Sequence, residues 1–197
     1  MIIIAGLGNP GQKYESTWHN LGRLAVLNWQ KKVGFADFRL ERKFNSLVSK
    51  GSFEKKEILL ALPESFMNQS GKAVKSLISS YRNKIATADL PRQLIVVHDD
   101  ADLQKGEIRV SKNRGTAGHK GLDSIVGSLK TKNFTRIRIG VRPKNYVPGS
   151  KSLERFVLKK FTKDEEKLVA EVLKKISGAI ETILEVGVIK AMNRYNR

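Results

Sequence analysis

Histidines and carboxylates are the side chains of this sequence best suited to moving protons. His98 follows four apolar residues and precedes Asp99 and Asp100, whereas His19 and His119 flank predicted loops. A neutral imidazole takes a proton from water near pH 7, and a carboxylate on its second ring nitrogen orients it. Asp99 or Asp100 can provide that carboxylate, so we predict hydrolysis by an activated water. His98 is equally compatible with an ordinary core position.

The neighbouring sequence favours direct attack by water on a phosphate-bearing ligand. The chain contains no cysteine and no GxSxG sequence, so no protein nucleophile is evident. The glycine-rich turn at residues 115–118 leads into an apolar-periodic segment, and backbone N–H groups at such a turn suit an anion. These features indicate hydrolytic chemistry close to a phosphate.

Two asparagines are candidates for binding the substrate. Asn9 lies in the turn after the first predicted strand, and Asn68 lies at a strand-to-helix junction. A carboxamide both donates and accepts hydrogen bonds, so each can bind an amide or ester carbonyl. The alternative is that both are turn or capping residues.

The same histidines and aspartates could instead form a metal site. The three histidines together with Asp99, Asp100 and Asp102 can supply ligands. However, no HExxH or comparable ligand spacing is present. A metal-dependent nuclease or phosphoesterase therefore remains an alternative, which loss of activity in EDTA would reveal.

The charge of the chain predicts a polyanionic partner. A formal net charge of +18 and a pI near 10.2 point to nucleic acid before an acidic membrane surface. The lack of cysteine excludes disulfides and thiolate metal sites. The N-terminus lacks the basic region of a signal peptide, and no stretch is long enough to span a membrane. We expect a cytoplasmic protein that faces nucleic acid.

The elements that must position these residues alternate between strand and helix. This alternation predicts a single α/β domain over residues 1–197, a three-layer sandwich with a mixed β-sheet surrounded by helices. Predicted strands cover 2–5, a hairpin within 45–62, 94–97, 107–112 and 134–141. Predicted helices run from near 17 to 32, from 65 to 81, over 122–129 and from a capping box at Thr162 and Glu165 to Gly187.

The remaining segments are predicted to be loops. The turn GLGNPG at 6–11 matches a dinucleotide fingerprint, but that motif needs a helix to begin within the glycines, and here Pro10 continues the loop. A polar link covers 83–92, a basic candidate lid covers 142–152, and the tail 190–197 is expected to fray.

Three long segments resemble the motifs of bacterial-type peptidyl-tRNA hydrolases. They are GLGNPGQKYESTWHNLG (6–22), PESFMNQSG (63–71) and HDDADLQKGEIRVSKNRGTAGHKGLDSI (98–125), in the family's order and over nearly the whole chain. The resemblance implies cleavage of the ester between a peptide and the 3′ end of tRNA. It also implies a small monomer with a mixed sheet surrounded by helices, which needs no cofactor or metal.

Matching these motifs position by position implies roles for individual residues. His19 becomes the general base and Asp99 the residue that orients it. The residues implied or predicted to contact substrate are Asn9, Tyr14, Met67, Asn68, His119 and Lys120. For the tRNA we predict a basic strip, within which the resemblance singles out Arg138 and a lysine near Lys112 for a tRNA phosphate. Its members are Lys105, Arg109, Lys112, Arg138 and Arg142.

Two positions depart from the family pattern. Trp18 stands where the family usually has arginine, and we expect an effect on substrate approach. Lys120 replaces the asparagine of GHNG. An ammonium cannot copy an amide, but it can stabilise negative charge and favour a neutral imidazole. Alternatively, Lys120 is solvated and points away while water fills the asparagine's place.

A non-catalytic function on the same fold is the second hypothesis. Plant organellar splicing factors similar to the family bind RNA, and such relatives can retain His19 and Asp99. The short chain carries no added binding segments, which favours the enzyme. Release of the blocked amino acid from N-blocked aminoacyl-tRNA separates the two functions.

Overall fold

The computed structural model describes residues 1–85, 89–142 and 151–196. Within these residues, seven strands form one sheet in the order β2-β3-β4-β1-β5-β7-β6. The strands are β1 (Ile2–Gly6), β2 (Arg39–Glu41), β3 (Ser46–Phe53), β4 (Lys56–Pro63), β5 (Leu94–Gln104), β6 (Ile108–Lys112) and β7 (Thr135–Arg142). The central strand β1 is parallel to β4 and β5, and β5 is parallel to β7, whereas β2, β3 and β6 pair antiparallel. The predicted mixed sheet is confirmed.

Helices cover both faces of this sheet. They are α1 (Leu21–Val33), α2 (Ser70–Ser80), α3 (Leu90–Gln93), α4 (Lys120–Leu129), α5 (Lys151–Val157), α6 (Lys163–Val186) and α7 (Val188–Tyr195). One core contains Ile4 with apolar residues of α1, α6 and α7, and the other contains Ile3 and Ala5 with apolar residues of α2 and α4. Successive residues of β1 therefore bury opposite faces, which is why the strand is an uninterrupted apolar run.

The local signals for turns and helix ends are confirmed. The β3–β4 hairpin turns at Glu54 and Lys55, whose φ angles of 49° and 59° suit a two-residue turn. Thr162 and Glu165 form the predicted capping box of α6. Gly187, with φ of 94°, ends that helix.

Two predicted boundaries near the histidines are wrong. Strand β5 continues past residue 97 to Gln104, because its pairing with β7 extends through Asp100 and resumes after an irregularity. His98, Asp99 and Asp100 therefore lie within the strand. The first helix begins at Leu21, and His19 lies in a short 3-10 turn, Trp18–Asn20, that precedes it.

Three predicted loops need revision. Residues 90–93 of the polar link form α3. Most of the candidate lid, residues 143–150, lies outside the described residues, and α5 follows it. The tail does not fray as predicted, because α7 buries Ala191 and the Asn196 carboxamide exchanges two 2.8 Å hydrogen bonds with the Val110 main chain. Among the described residues, no helix has the length and apolar character needed to cross a membrane.

Candidate active site

A cavity of about 330 Å³ opens where β1 and β5 end and α4 begins. Its walls come from five parts of the chain that are far apart in sequence. They are Asn9, His19, Phe66, Met67, Asn68, Asp99, Asp100, Ala101, Asp102, Thr116, Ala117, Gly118, His119, Lys120, Leu153, Glu154, Val157 and Leu158. The structure thus brings seven of the eight predicted catalytic and substrate-contacting side chains into one cavity, and Tyr14 lies outside its lining.

A close approach of main chains places His19 beside Asp99 in the middle of β5. A Cβ atom on Gly22 would lie 2.2 Å from the Val97 carbonyl oxygen, so glycine allows the first turn of α1 to contact the strand. His19 Nδ1 then lies 2.9 Å from Asp99 Oδ2. The His19 side chain is 14% exposed and that of Asp99 is 4% exposed. Both side chains are therefore largely shielded from solvent, yet both line the cavity.

The electrostatics of this pair suit a base held by an anion. Burial by itself would lower the pKa of His19, but the charge and hydrogen bond of Asp99 outweigh burial and raise that pKa above its ordinary value. Burial would raise the pKa of Asp99, but His19 and His119 hold it well below the ordinary range. Asp99 therefore stays ionised and accepts the Nδ1–H of His19. The unprotonated Nε2 of a neutral His19 is then available to take a proton.

His119 is the second imidazole bound to Asp99. It caps α4, because its Nδ1 accepts hydrogen bonds from the main-chain N–H groups of Gly121 at 3.1 Å and Leu122 at 3.3 Å. The proton of the neutral ring must then lie on Nε2, which donates to Asp99 Oδ1 at 3.0 Å. The helix end thus sets the tautomer of His119, and the Asp99 carboxylate receives one N–H group from each imidazole.

The two asparagines occupy different environments in the cavity. Asn9 is 7% exposed, and the Asn20 side chain hydrogen-bonds both its main-chain N–H (2.8 Å) and its carbonyl (2.9 Å). The Asn9 Oδ1 accepts the Met67 N–H at 2.9 Å, which joins the first and second sequence motifs. Asn9 therefore has a structural role as well as a place in the cavity wall. Asn68 is exposed at the cavity.

One group of side chains has the spacing of metal ligands within the described part of the chain. The donor atoms of His19, Asp99 and His119 lie within 4.8 Å of one another. The wider predicted set is not assembled: Asp100 pairs with Arg138 at 2.7 Å, and His98 is buried. The three donors are already joined by the two hydrogen bonds to Asp99.

Comparisons with known proteins agree over the full length. The family profile described as peptidyl-tRNA hydrolase matches residues 3–197. The chain belongs to the peptidyl-tRNA hydrolase family. Peptidyl-tRNA hydrolases from Thermodesulfovibrio yellowstonii and Chloroflexus aurantiacus are each 40% identical to it, and the alignments cover 100% of this chain and 100% and 99% of the relatives. The crystal structure of the peptidyl-tRNA hydrolase from Acinetobacter baumannii matches with a TM-score of 0.87 and 31% identity, covering 100% of this chain and 94% of that one. The resemblance inferred from three motifs is confirmed.

The first departure from the peptidyl-tRNA hydrolase pattern has a packing role. Trp18 is 2% exposed and lies outside the cavity lining. Its ring stacks on Phe156 at 6.1 Å and meets Phe161 edge-on at 4.9 Å. The Lys105 ammonium lies 4.3 Å from the centre of the same ring. Trp18 therefore packs against the end of α5 and the segment after it, outside the cavity lining.

The second departure lies at the rim of the cavity. Lys120 is the first residue of α4, and its Nζ lies 2.9 Å from Glu154 Oε1 on α5. Both side chains are more than half exposed, so this ion pair contributes little to stability. The charge of Lys120 slightly opposes the raised pKa of His19. Lys120 thus faces the cavity without contacting the imidazole.

The predicted basic strip is not one exposed surface. Arg109 and Lys112 are exposed on β6. Arg138 is 5% exposed and donates to Asp100, while the Arg142 guanidinium donates to the carbonyl oxygens of residues 101 and 102. Lys105 pairs with Glu165 in addition to its contact with Trp18. Alternation of arginine with isoleucine in β7 placed the arginines on one face, but that face is covered.

Sequence reasoning missed part of the cavity wall. Leu153, Glu154, Val157 and Leu158 come from α5 and the residue after it, a segment that carried no recognised motif. Phe66 is 57% exposed at the opposite wall, and its place within FMN could have indicated it. Tyr14, which was expected beside the cleft, is half-buried under the Lys13 ammonium.

Proposed function

We propose that this protein hydrolyses the ester that joins a peptide to the 3′ end of tRNA, with His19 as the general base and Asp99 as its orienting anion. The observation that carries the proposal is the His19–Asp99 pair, whose Nδ1–Oδ2 distance of 2.9 Å fixes the imidazole at the wall of the cavity. Family membership supplies the substrate class.

In the proposed reaction, water attacks the ester carbonyl carbon and gives a proton to His19 Nε2. Asp99 stabilises the imidazolium that forms, because it already accepts the Nδ1–H. When the tetrahedral intermediate collapses, the bond to the ribose 3′ oxygen breaks and His19 returns the proton to that oxygen. The products are a free peptide carboxylate, tRNA and one proton released to solvent, and the step consumes one water and no cofactor.

The proposed peptide contacts follow from the polarity of the cavity wall. The Oδ1 of Asn9 is used by the Met67 N–H, so its amide nitrogen is the group that can donate to a substrate carbonyl. Asn68 is exposed and free to both donate and accept across the cavity mouth. Phe66 and Met67 offer apolar surface beside it. A blocked peptide nitrogen fits this surface better than the charged amine of an aminoacyl-tRNA, because a dry site discriminates against an unpaired charge.

The proposed tRNA contacts rest on charge. A net charge of +18 attracts a polyanion, and Arg109 and Lys112 are the members of the predicted strip that β6 exposes. We further infer that the protein acts as a monomer in the cytoplasm, where translation supplies peptidyl-tRNA. Light scattering of the purified protein, alone and with tRNA, measures the oligomeric state.

The test is release of a blocked amino acid from N-blocked aminoacyl-tRNA, with free aminoacyl-tRNA as the control substrate. We expect turnover of the blocked substrate only. His19→Ala should lower kcat by about 10²–10⁴-fold while tRNA binding is retained, as for a lost general base. A wild-type protein that binds tRNA but releases nothing would instead be an RNA-binding protein of the splicing-factor kind. Near-wild-type turnover in His19→Ala would reject the assignment of the base.

A further inference from the structure

His98 is a third imidazole beside the His19–Asp99 pair, and the proposed reaction leaves it without a role. Its side chain is 1% exposed. Its Nδ1–H donates to the main-chain carbonyl oxygen of Asp99 at 2.6 Å. Its Nε2 is buried and has no hydrogen-bond partner among the described residues. An unsatisfied buried acceptor destabilises a folded protein, and an apolar side chain of similar size avoids that cost. Stability alone therefore does not account for a histidine here.

The three imidazoles surround Asp99. His19 and His119 donate to its carboxylate, and His98 donates to its carbonyl oxygen. The rings also contact one another: the His98 and His119 centroids are 5.0 Å apart at an interplanar angle of 72°, and those of His119 and His19 are 5.1 Å apart. His98 thus contacts the main chain of Asp99 and the ring of His119, and His119 in turn donates to the Asp99 carboxylate.

The charges around His98 keep its ring neutral. Burial, the largest cause, and the charge of His119 together lower the pKa of His98 to about 3, and Asp100 and Asp99 only partly oppose this. Arg138 lies opposite His98 on β7 and pairs with Asp100. A neutral ring can fix Asp99 through a hydrogen bond without adding a positive charge that competes with His19 for the carboxylate.

We propose that His98 is a positioning residue: its Nδ1–H fixes the main chain of Asp99, and its ring edge sets the tilt of His119, so that the Asp99 carboxylate faces His19. The inference rests on the proposed function and deepens it. His98 is buried outside the cavity lining, so its removal should act on kcat through the orientation of Asp99 and leave KM nearly unchanged.

Two substitutions separate the hydrogen bond from the bulk of the ring. His98→Asn places an amide nitrogen near the position of Nδ1 and retains a donor to the Asp99 carbonyl, whereas His98→Leu fills similar volume without a donor. Ser111→Ala is the matched control, because it removes a buried hydroxyl on β6, outside the cavity, for which the described part of the chain offers no hydrogen-bond partner. Each variant is assayed for kcat, KM, the pH dependence of kcat and the melting temperature.

We expect His98→Leu to lower kcat about tenfold or more with KM within about twofold of wild type. Its acid limb should move to lower pH, because an Asp99 carboxylate that turns away no longer raises the pKa of His19. The melting temperature should change little, since removal of the unsatisfied nitrogen offsets loss of the hydrogen bond to the Asp99 carbonyl oxygen. His98→Asn should recover most of kcat and the wild-type acid limb, and Ser111→Ala should match wild type in kcat.

Three results would overturn the role of His98. The first is a wild-type kcat and acid limb in His98→Leu. The second is a loss of activity that only follows a loss of melting temperature, and the third is His98→Asn performing no better than His98→Leu. The same assay reports on the proposed function separately, because that function fails when the wild-type protein itself releases no blocked amino acid.

Discussion

Replacing Asp99 with asparagine tests how the site selects the tautomer of His19. The native carboxylate accepts from His19 Nδ1 at 2.9 Å and from His119 Nε2 at 3.0 Å. His119 keeps its proton on Nε2, since its Nδ1 accepts from the N–H groups of Gly121 and Leu122. The single carbonyl oxygen of the asparagine should therefore face His119, and its NH₂ should face His19. His19 would then accept on Nδ1, carry its proton on Nε2 and be unable to take a proton from water.

The expected loss in Asp99→Asn is that of a general base, about 10²–10⁴-fold in kcat, or about 3–5 kcal/mol in the activation free energy. KM should change little, because the proposed peptide and tRNA contacts lie elsewhere on the cavity wall and on β6. Single-turnover ester release from N-blocked aminoacyl-tRNA, measured from about pH 5 to pH 9, separates chemistry from binding.

A second substitution tests the reason for the loss. Asparagine is a good N-cap, so His119→Asn should preserve the cap of α4. It also removes the ring N–H that would donate to the carbonyl oxygen of asparagine at position 99. The double variant Asp99→Asn, His119→Asn should then recover at least about tenfold over Asp99→Asn. Turnover of Asp99→Asn within about threefold of wild type would refute the tautomer argument. No recovery in the double variant would show that His119 does not orient the amide.

Further substitutions probe the rim, the peptide contacts and the charge. Lys120→Ala should lower kcat and move the acid limb to higher pH, because it removes a cation that opposes protonation of His19. Lys120→Asn should stay active. If the pH–rate profiles of both variants match wild type, the Lys120 side chain has no role in the reaction. Asn68→Ala should raise KM and weaken discrimination between blocked and free aminoacyl-tRNA in competition assays, and unchanged discrimination would contradict its role. Arg138→Ala should leave Asp100 as a buried charge without its cationic partner and lower the free energy of unfolding, measured with denaturant, by about 3–5 kcal/mol. Arg109→Ala should leave stability unchanged and reduce the slope of log affinity for tRNA against log salt concentration by about one. EDTA should not reduce hydrolysis of a short blocked aminoacyl-adenosine ester, and a loss restored by a divalent metal would support the metal-dependent alternative.

The features that sequence alone determined are those with a local cause or a long motif. The β-branched run in β1, the hairpin turn at Glu54 and Lys55 and the capping box at Thr162 each depend on residues within a few positions of one another. Backbone preference specifies the strand and capping specifies the helix end, whereas the hairpin follows from two strand-like runs on either side of a short polar link. The three family motifs also named nearly all of the polar side chains that line the cavity, including His19 and Asp99.

Tertiary structure decided which of those side chains are paired, covered or shared. The alternation in β7 cannot show that Arg138 is buried, because its partner Asp100 comes from the neighbouring strand. The proton position on His119 depends on the helix that it caps, and the environment of Lys120 depends on Glu154 of α5. Burial, tautomer and pKa are set by atoms that meet only when distant segments pack together, so no sequence period or spacing encodes them.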